Sequence, residues 1–128
     1  MEDKMISLSN SEWRIMENLW EEAPKTATQL IRAMGTETGW AKSTTKTVLK
    51  RMEQKGYIAY QEGVKAREYY PLLKREEVVE TETSNFINRL YNGSLGLMVN
   101  TLVKKQGLSD EEMEELYQII QEARERRE

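Results

Sequence analysis

The first apolar residues of this chain recur at helical spacing. Trp13, Ile15, Met16, Leu19 and Trp20 fall three and four residues apart, as on one side of an α-helix. Ser9-Asn10-Ser11-Glu12 stands before them as S-x-x-E. That pattern predicts a helix capped by Ser9 and Glu12, with Leu8 and Trp13 placed as a hydrophobic staple. Pro24 ends it. Thr26-Ala27-Thr28-Gln29 opens a second helix with Leu30, Ile31 and Met34, broken by Gly35 and Gly39. A third is expected from Lys42 to Gly56. Turned at about 100° per residue, it gathers Thr45, Val48, Leu49 and Met52 on one side. Ser43, Thr47, Lys50 and Gln54 fall opposite, flanked by Lys46 and Arg51.

The rhythm then changes. Tyr57 to Gln61 and Ala66 to Tyr70 are rich in strand-compatible and aromatic residues, and Glu62-Gly63-Val64-Lys65 lies between them as a turn. Pro71 closes this hairpin. Helical spacing returns from Arg75 to about Tyr91, with Val78, Val79, Phe86, Ile87 and Leu90. Asn92-Gly93-Ser94 is a break. Leu95 to Lys105 carries Leu95, Leu97, Met98, Val99, Leu102 and Val103, too apolar for a lone surface helix. Ser109-Asp110-Glu111-Glu112 is a third capping box, with Leu108 and Met113 as its staple. Met113, Leu116, Ile120 and Ala123 follow, and the chain closes on a charged tail, "EARERRE". Three short amphipathic helices bury little by themselves, so their apolar faces call for a partner. A second copy of the chain is the simplest one. The fold class expected is mainly α: an N-terminal winged helix-turn-helix (three helices plus a β-hairpin wing) over residues 1–73, and a C-terminal three-helix dimerisation domain over 74–128.

Charge sharpens this division. The 128 residues carry a net charge of −3. Residues 1–73 hold 11 basic and 10 acidic side chains, whereas residues 74–128 hold 8 and 12. Ala41 to Tyr57 alone has five cations (Lys42, Lys46, Lys50, Arg51, Lys55) against Glu53. A local patch, not the net charge, is the feature that would attract a polyanion. The chain has no Cys and no His, which removes disulfides, thiol catalysis, histidine acid–base chemistry and the common zinc sites. No EF-hand spacing is present, so neither a metal nor a cofactor is expected, and no paired carboxylates argue for an enzyme. No apolar run approaches the roughly 20 residues that span a bilayer, and "MEDKMISLSN" lacks a signal-peptide layout. A cytoplasmic protein without membrane insertion is the expectation.

A helix with cations and hydroxyls on one face, following a helix and a tight connection, has the layout of a helix-turn-helix reader of double-stranded DNA. Lys and Arg neutralise phosphates and release counterions. Ser and Thr hydroxyls bond phosphates or base edges, and a Thr methyl packs on a thymine methyl. The DNA-binding residues expected are Lys42, Ser43, Thr44, Lys46, Thr47, Lys50 and Arg51, with Lys65 and Arg67 on the wing reaching the flanking backbone. A solvated cationic face is the plain alternative, and the ordered set of three helices and a hairpin argues against it.

"SEWRIMENLW", "GWAKSTTKTVLKRMEQKGYI", "YYPL", "NFINRLYNGSLGLMVNTLVKK" and "LSDEEMEELYQII", in that order, resemble the BlaI/MecI penicillinase-repressor family, which also includes the CopY copper repressors. The resemblance runs from about Ile6 to Ala123. It implies a dimeric repressor of a palindromic operator with TACA/TGTA-type half-sites, controlling beta-lactam resistance or a related stress response. Thr44 and Thr47 keep the family's hydroxyls, Lys46 stands where relatives often carry Arg, and Arg51 matches a basic position. Ala41-Lys42-Ser43 replaces a frequent Ser-Pro-Lys.

The dimer contacts implied are Phe86, Leu90, Leu95, Met98, Val99, Leu102, Val103, Leu116 and Ile120. In the beta-lactam branch a membrane sensor protease of the BlaR/MecR type leads to cleavage of an Asn-Phe bond, which aligns here with Thr101-Leu102. The copper branch uses C-terminal cysteines, which this chain lacks. Two rival readings stand beside this one. One is a ligand-responsive winged helix with a pocket near Phe86, Leu97 and Met98. The other is a protein-interaction module without a DNA target.

Overall fold

In the computed structural model, residues 6–105 and 107–127 are described. Ser9 starts the first helix as the sequence predicts. Its Oγ accepts from Glu12 N–H at 3.2 Å, and Glu12 Oε1 accepts from Ser9 N–H at 2.8 Å, so two otherwise orphaned donors are satisfied. Helix α1 covers Asn10–Glu21. A two-residue strand, β1 (Lys25–Thr26), leads into α2 (Ala27–Thr38), whose capping box of Thr26 and Gln29 is also complete. Helix α3 spans Lys42–Gln54, β2 Ile58–Glu62 and β3 Arg67–Pro71. Then come α4 (Arg75–Tyr91), α5 (Leu95–Lys105) and α6 (Asp110–Arg127).

Four local expectations shift. Gly35 does not break α2; it costs helix stability but keeps its hydrogen bonds, and the helix ends at Gly39, in the left-handed region at φ 76°. The three-stranded antiparallel sheet, ordered β1-β3-β2, includes β1, which two residues beside a cap could not announce. The hairpin turn lies one residue later than expected. Glu62 still pairs with Arg67, and Gly63 N–H donates to Ala66 O at 3.0 Å. A Cβ at Gly63 would approach that oxygen to 2.5 Å, so the turn needs glycine. Lastly, the charged tail is helical through Arg127, in keeping with the helix propensity of Glu, Ala and Arg.

The chain forms two compact units, Met1–Glu82 and Thr83–Glu128. The first has a core of Ile15, Met16, Leu19, Leu30, Met34, Leu49, Met52 and Ile58, each nearly or fully buried. The start of α4 belongs to it. Val78 is fully buried, Trp20 Nε1–H donates to Leu73 O at 2.9 Å, and Glu82 Oε1 accepts from Leu8 N–H at 2.8 Å. The Arg75 guanidinium lies 5.6 Å from the ring centres of both Trp13 and Trp20, which meet edge to face.

The second unit contains the rest of α4 with α5 and α6. Ser94 caps α5 through Leu97 N–H, and Ser109 with Glu112 forms the predicted capping box of α6. Neither α5 nor α6 buries a single described residue. No helix among the described residues is long and apolar enough to cross a membrane.

Candidate nucleic-acid interface

Helix α3 begins without a side-chain cap, since Ala41 offers none. Its backbone carbonyl accepts from Thr44 N–H and Thr45 N–H instead, at 3.0 and 3.3 Å. The helix divides as its periodicity predicts. Thr45, Val48, Leu49 and Met52 are buried, whereas Lys42, Ser43, Thr44, Lys46, Thr47 and Lys50 are exposed. Apolar burial thus fixes which way the polar residues point. Thr47 Oγ1 donates to Ser43 O at 2.9 Å, which holds its methyl and its free lone pairs in one orientation.

The wing brings further cations. A cleft of about 350 Å³ between α3 and β3 is lined by Ala27, Lys46, Leu49, Lys50, Glu53, Arg67 and Tyr69. Lys46, Lys50 and Arg67 therefore meet around one depression, although they come from two elements. The Arg67 guanidinium stacks 4.2 Å from the centre of the Tyr60 ring, and Tyr60 packs edge to face on Tyr69. This stack orders a side chain that would otherwise sample many rotamers. Burial and the nearby Glu53 carboxylate raise the Tyr69 hydroxyl above its ordinary pKa, against the opposing charge of Arg67. Lys65 lies exposed in the turn beside the fully exposed Val64.

The far flank of α3 differs. Arg51 Nε–H donates to Glu12 Oε2 at 3.0 Å, Lys55 Nζ donates to the same oxygen at 2.9 Å, and Arg51 Nη2 reaches Ser9 Oγ at 3.4 Å. The Glu12 side chain is fully buried. Burial alone would raise its pKa, but the Ser9 N–H, Lys55 and Arg51 outweigh that and hold the carboxyl below its usual 4.5. Sequence reasoning placed Arg51 on the DNA and Glu12 only in the cap. The pairing joins residues 39 and 43 positions apart, and no local pattern reports it.

The residues expected at a dimer contact lie in α4, α5 and α6. Phe86, Leu90, Leu95, Leu102, Val103, Leu116 and Ile120 are exposed, and Met98 and Val99 are half-buried. Leu97, the third residue of the rival ligand pocket with Phe86 and Met98, is also exposed. Thr101 and Leu102 sit inside α5, where Thr101 Oγ1 donates to Leu97 O at 3.0 Å.

The sequence profile of the penicillinase repressor family matches residues 8–122. The chain belongs to that family. It is 30% identical over 120 residues to the methicillin resistance regulatory protein MecI of Staphylococcus aureus, covering 94% of this chain and 98% of that protein. To the penicillinase repressor of Bacillus licheniformis it is 29% identical over 124 residues, which is 97% of each. Among solved structures, the monomeric form of Bacillus licheniformis BlaI in complex with the blaP half-operator matches with a TM-score of 0.52 at 20% identity. That match covers 58% of this chain and 90% of the other. The isolated DNA-binding domain of BlaI matches at the same TM-score. The fold of this penicillinase-repressor family member is thus mainly helical, with a winged-helix N-terminal unit.

Proposed function

We propose that this protein is a transcriptional repressor that binds double-stranded operator DNA as a homodimer. The observation that carries this reading is the exposed face of α3. Lys42, Lys46 and Lys50 stand beside Ser43, Thr44 and Thr47, and Arg67 of the wing shares a cleft with two of those lysines. Family membership supports it. An α-helix fits the major groove, where hydroxyls and Thr methyls discriminate base edges. The lysines, Lys65 and Arg67 meet phosphates, which position the helix without reading sequence.

Residues 1–73 carry DNA binding in this account, and residues 74–128 carry dimerisation. The exposed apolar side chains of α5 and α6 support a second copy as the partner, because so many apolar groups are seldom left in water on a monomer. Joining two readers raises the effective concentration of the second binding event, so the dimer occupies a palindrome that one reader alone would hold weakly. The operator is of the TACA/TGTA type, and the regulated response is beta-lactam resistance or a related stress. A sensor protease relieves repression by cleavage at Thr101-Leu102, splitting the dimer without touching α3. Because that bond is helical, cleavage requires local opening of α5.

Selection of bound duplexes from a random pool tests the reading without presupposing an operator. Enrichment of an inverted TACA/TGTA repeat is expected. Recovery of unenriched sequence would contradict it.

A further inference from the structure

The cations of α3 are not equivalent. Turned at about 100° per residue, Lys42 and Lys46 fall on one edge, Lys50 with Ser43 and Thr47 occupies the middle, and Thr44, Arg51 and the C-cap Lys55 lie on the opposite edge. Among the described residues, Lys42, Lys46 and Lys50 form no ion pair, whereas both cations of the opposite edge are bound to one oxygen of Glu12. That carboxylate is fully buried and also accepts from Ser9 N–H, so one side chain caps α1 and grips the last turns of α3. Each of the two cations keeps 42% of its side chain exposed. Released from Glu12, they stand near enough to solvent to meet a phosphate.

We propose that Glu12 is a positioning residue for DNA reading: its buried carboxylate ties down Arg51 and Lys55 and cancels one of their two charges, weighting the positive surface of α3 toward Lys42, Lys46, Lys50 and the wing. The inference rests on α3 being a DNA-reading helix. A cationic band on both edges would let the helix settle on phosphates in several registers. A band on one edge, with hydroxyls beside it, admits fewer. Glu12 therefore acts on specificity through two other residues and touches no DNA itself.

The test is fluorescence anisotropy of the full chain with operator and scrambled duplexes across a potassium chloride series. Wild type, Glu12→Gln and Ser9→Ala are compared, each verified as folded by circular dichroism at the assay temperature. In Glu12→Gln, the slope of log affinity against log salt on scrambled duplex steepens by about 1 to 2, as one or two further phosphates are neutralised. The operator-to-scrambled affinity ratio falls about tenfold. Ser9→Ala, which weakens the cap but leaves both ion pairs, keeps the wild-type slope and ratio. A folded Glu12→Gln with wild-type slope and ratio overturns the proposal.

Lys55→Gln supplies a second arm that preserves the Arg51–Glu12 pair. It leaves the wild-type slope unchanged, and a slope shallower by about 0.9 would place Lys55 on a phosphate and overturn the proposal. A wild type without salt-dependent duplex binding would overturn the DNA-binding reading and the proposal with it. An unchanged slope and ratio in Glu12→Gln, against a binding-competent wild type, overturns the proposal alone.

Discussion

At the scale of single residues, Glu12 joins helix capping, ion pairing and burial in one carboxylate. Its Oε1 accepts from Ser9 N–H, and its Oε2 takes both Arg51 and Lys55 while the side chain is closed to solvent. Glu12→Ala removes a capping carboxylate whose two cationic partners are partly solvated, so it should cost about 1 to 2 kcal/mol in urea unfolding. The pH dependence has a definite sign. The folded carboxyl is held below 4.5, so its contribution to stability is complete above the unfolded pKa and lost as pH falls through the lower folded value. Wild type should lose stability on acidification below about pH 5, and Glu12→Gln should follow a flatter acid limb, read as urea midpoints from pH 6 to 3. An equally steep limb in the variant would assign the acid sensitivity to other carboxylates. Half of this arrangement was legible in the sequence, because a capping box is a four-residue pattern. The other half was not. Arg51 looked like one more groove-facing cation, and only the crossing of α1 and α3 brings it, with Lys55, to Glu12.

Among the elements, α3 follows directly from periodicity. Its four buried positions are those that helical spacing collects, and the exposed lysines and hydroxyls are what remain. The same reasoning overstated Gly35, since a glycine weakens a helix without ending it. The true end is Gly39, whose positive φ strains a residue that carries a Cβ. Gly39→Ala should therefore destabilise the first unit by about 1 to 2 kcal/mol in thermal or urea unfolding. Stability unchanged by that substitution would mean that the connection between α2 and α3 relaxes out of the left-handed region. Strand β1 was illegible because its Lys25 and Thr26 gain strand geometry from Tyr69 and Glu68, more than 40 residues away. Arg67 was visible as a wing cation, but its stacking on Tyr60 depends on the cross-strand register that sets Tyr60 against Tyr69.

For the whole molecule, the contrast between the units carries the functional account. The first unit closes a core of its own, while α5 and α6 leave Leu95, Leu102, Val103, Leu116 and Ile120 in solvent. If a second copy covers them, Leu102→Asp should convert the protein from dimer to monomer in sedimentation velocity while the circular dichroism of α3 and the wing is retained. It should also weaken palindrome binding more than half-site binding, since only the palindrome gains from linked readers. A Leu102→Asp protein that remains dimeric would place the contact elsewhere. Composition had already pointed to this division, with cations concentrated on the third helix and acids in the C-terminal half. The most direct test of the central claim, that the exposed face of α3 reads duplex DNA, is anisotropy with a TACA/TGTA palindrome and a scrambled duplex over a salt series, comparing wild type with Lys46→Ala. The account predicts selective binding by wild type, and for Lys46→Ala a weaker affinity with a salt slope shallower by about 0.9. Equal binding of both duplexes by wild type, with a slope that Lys46→Ala leaves unchanged, would contradict it.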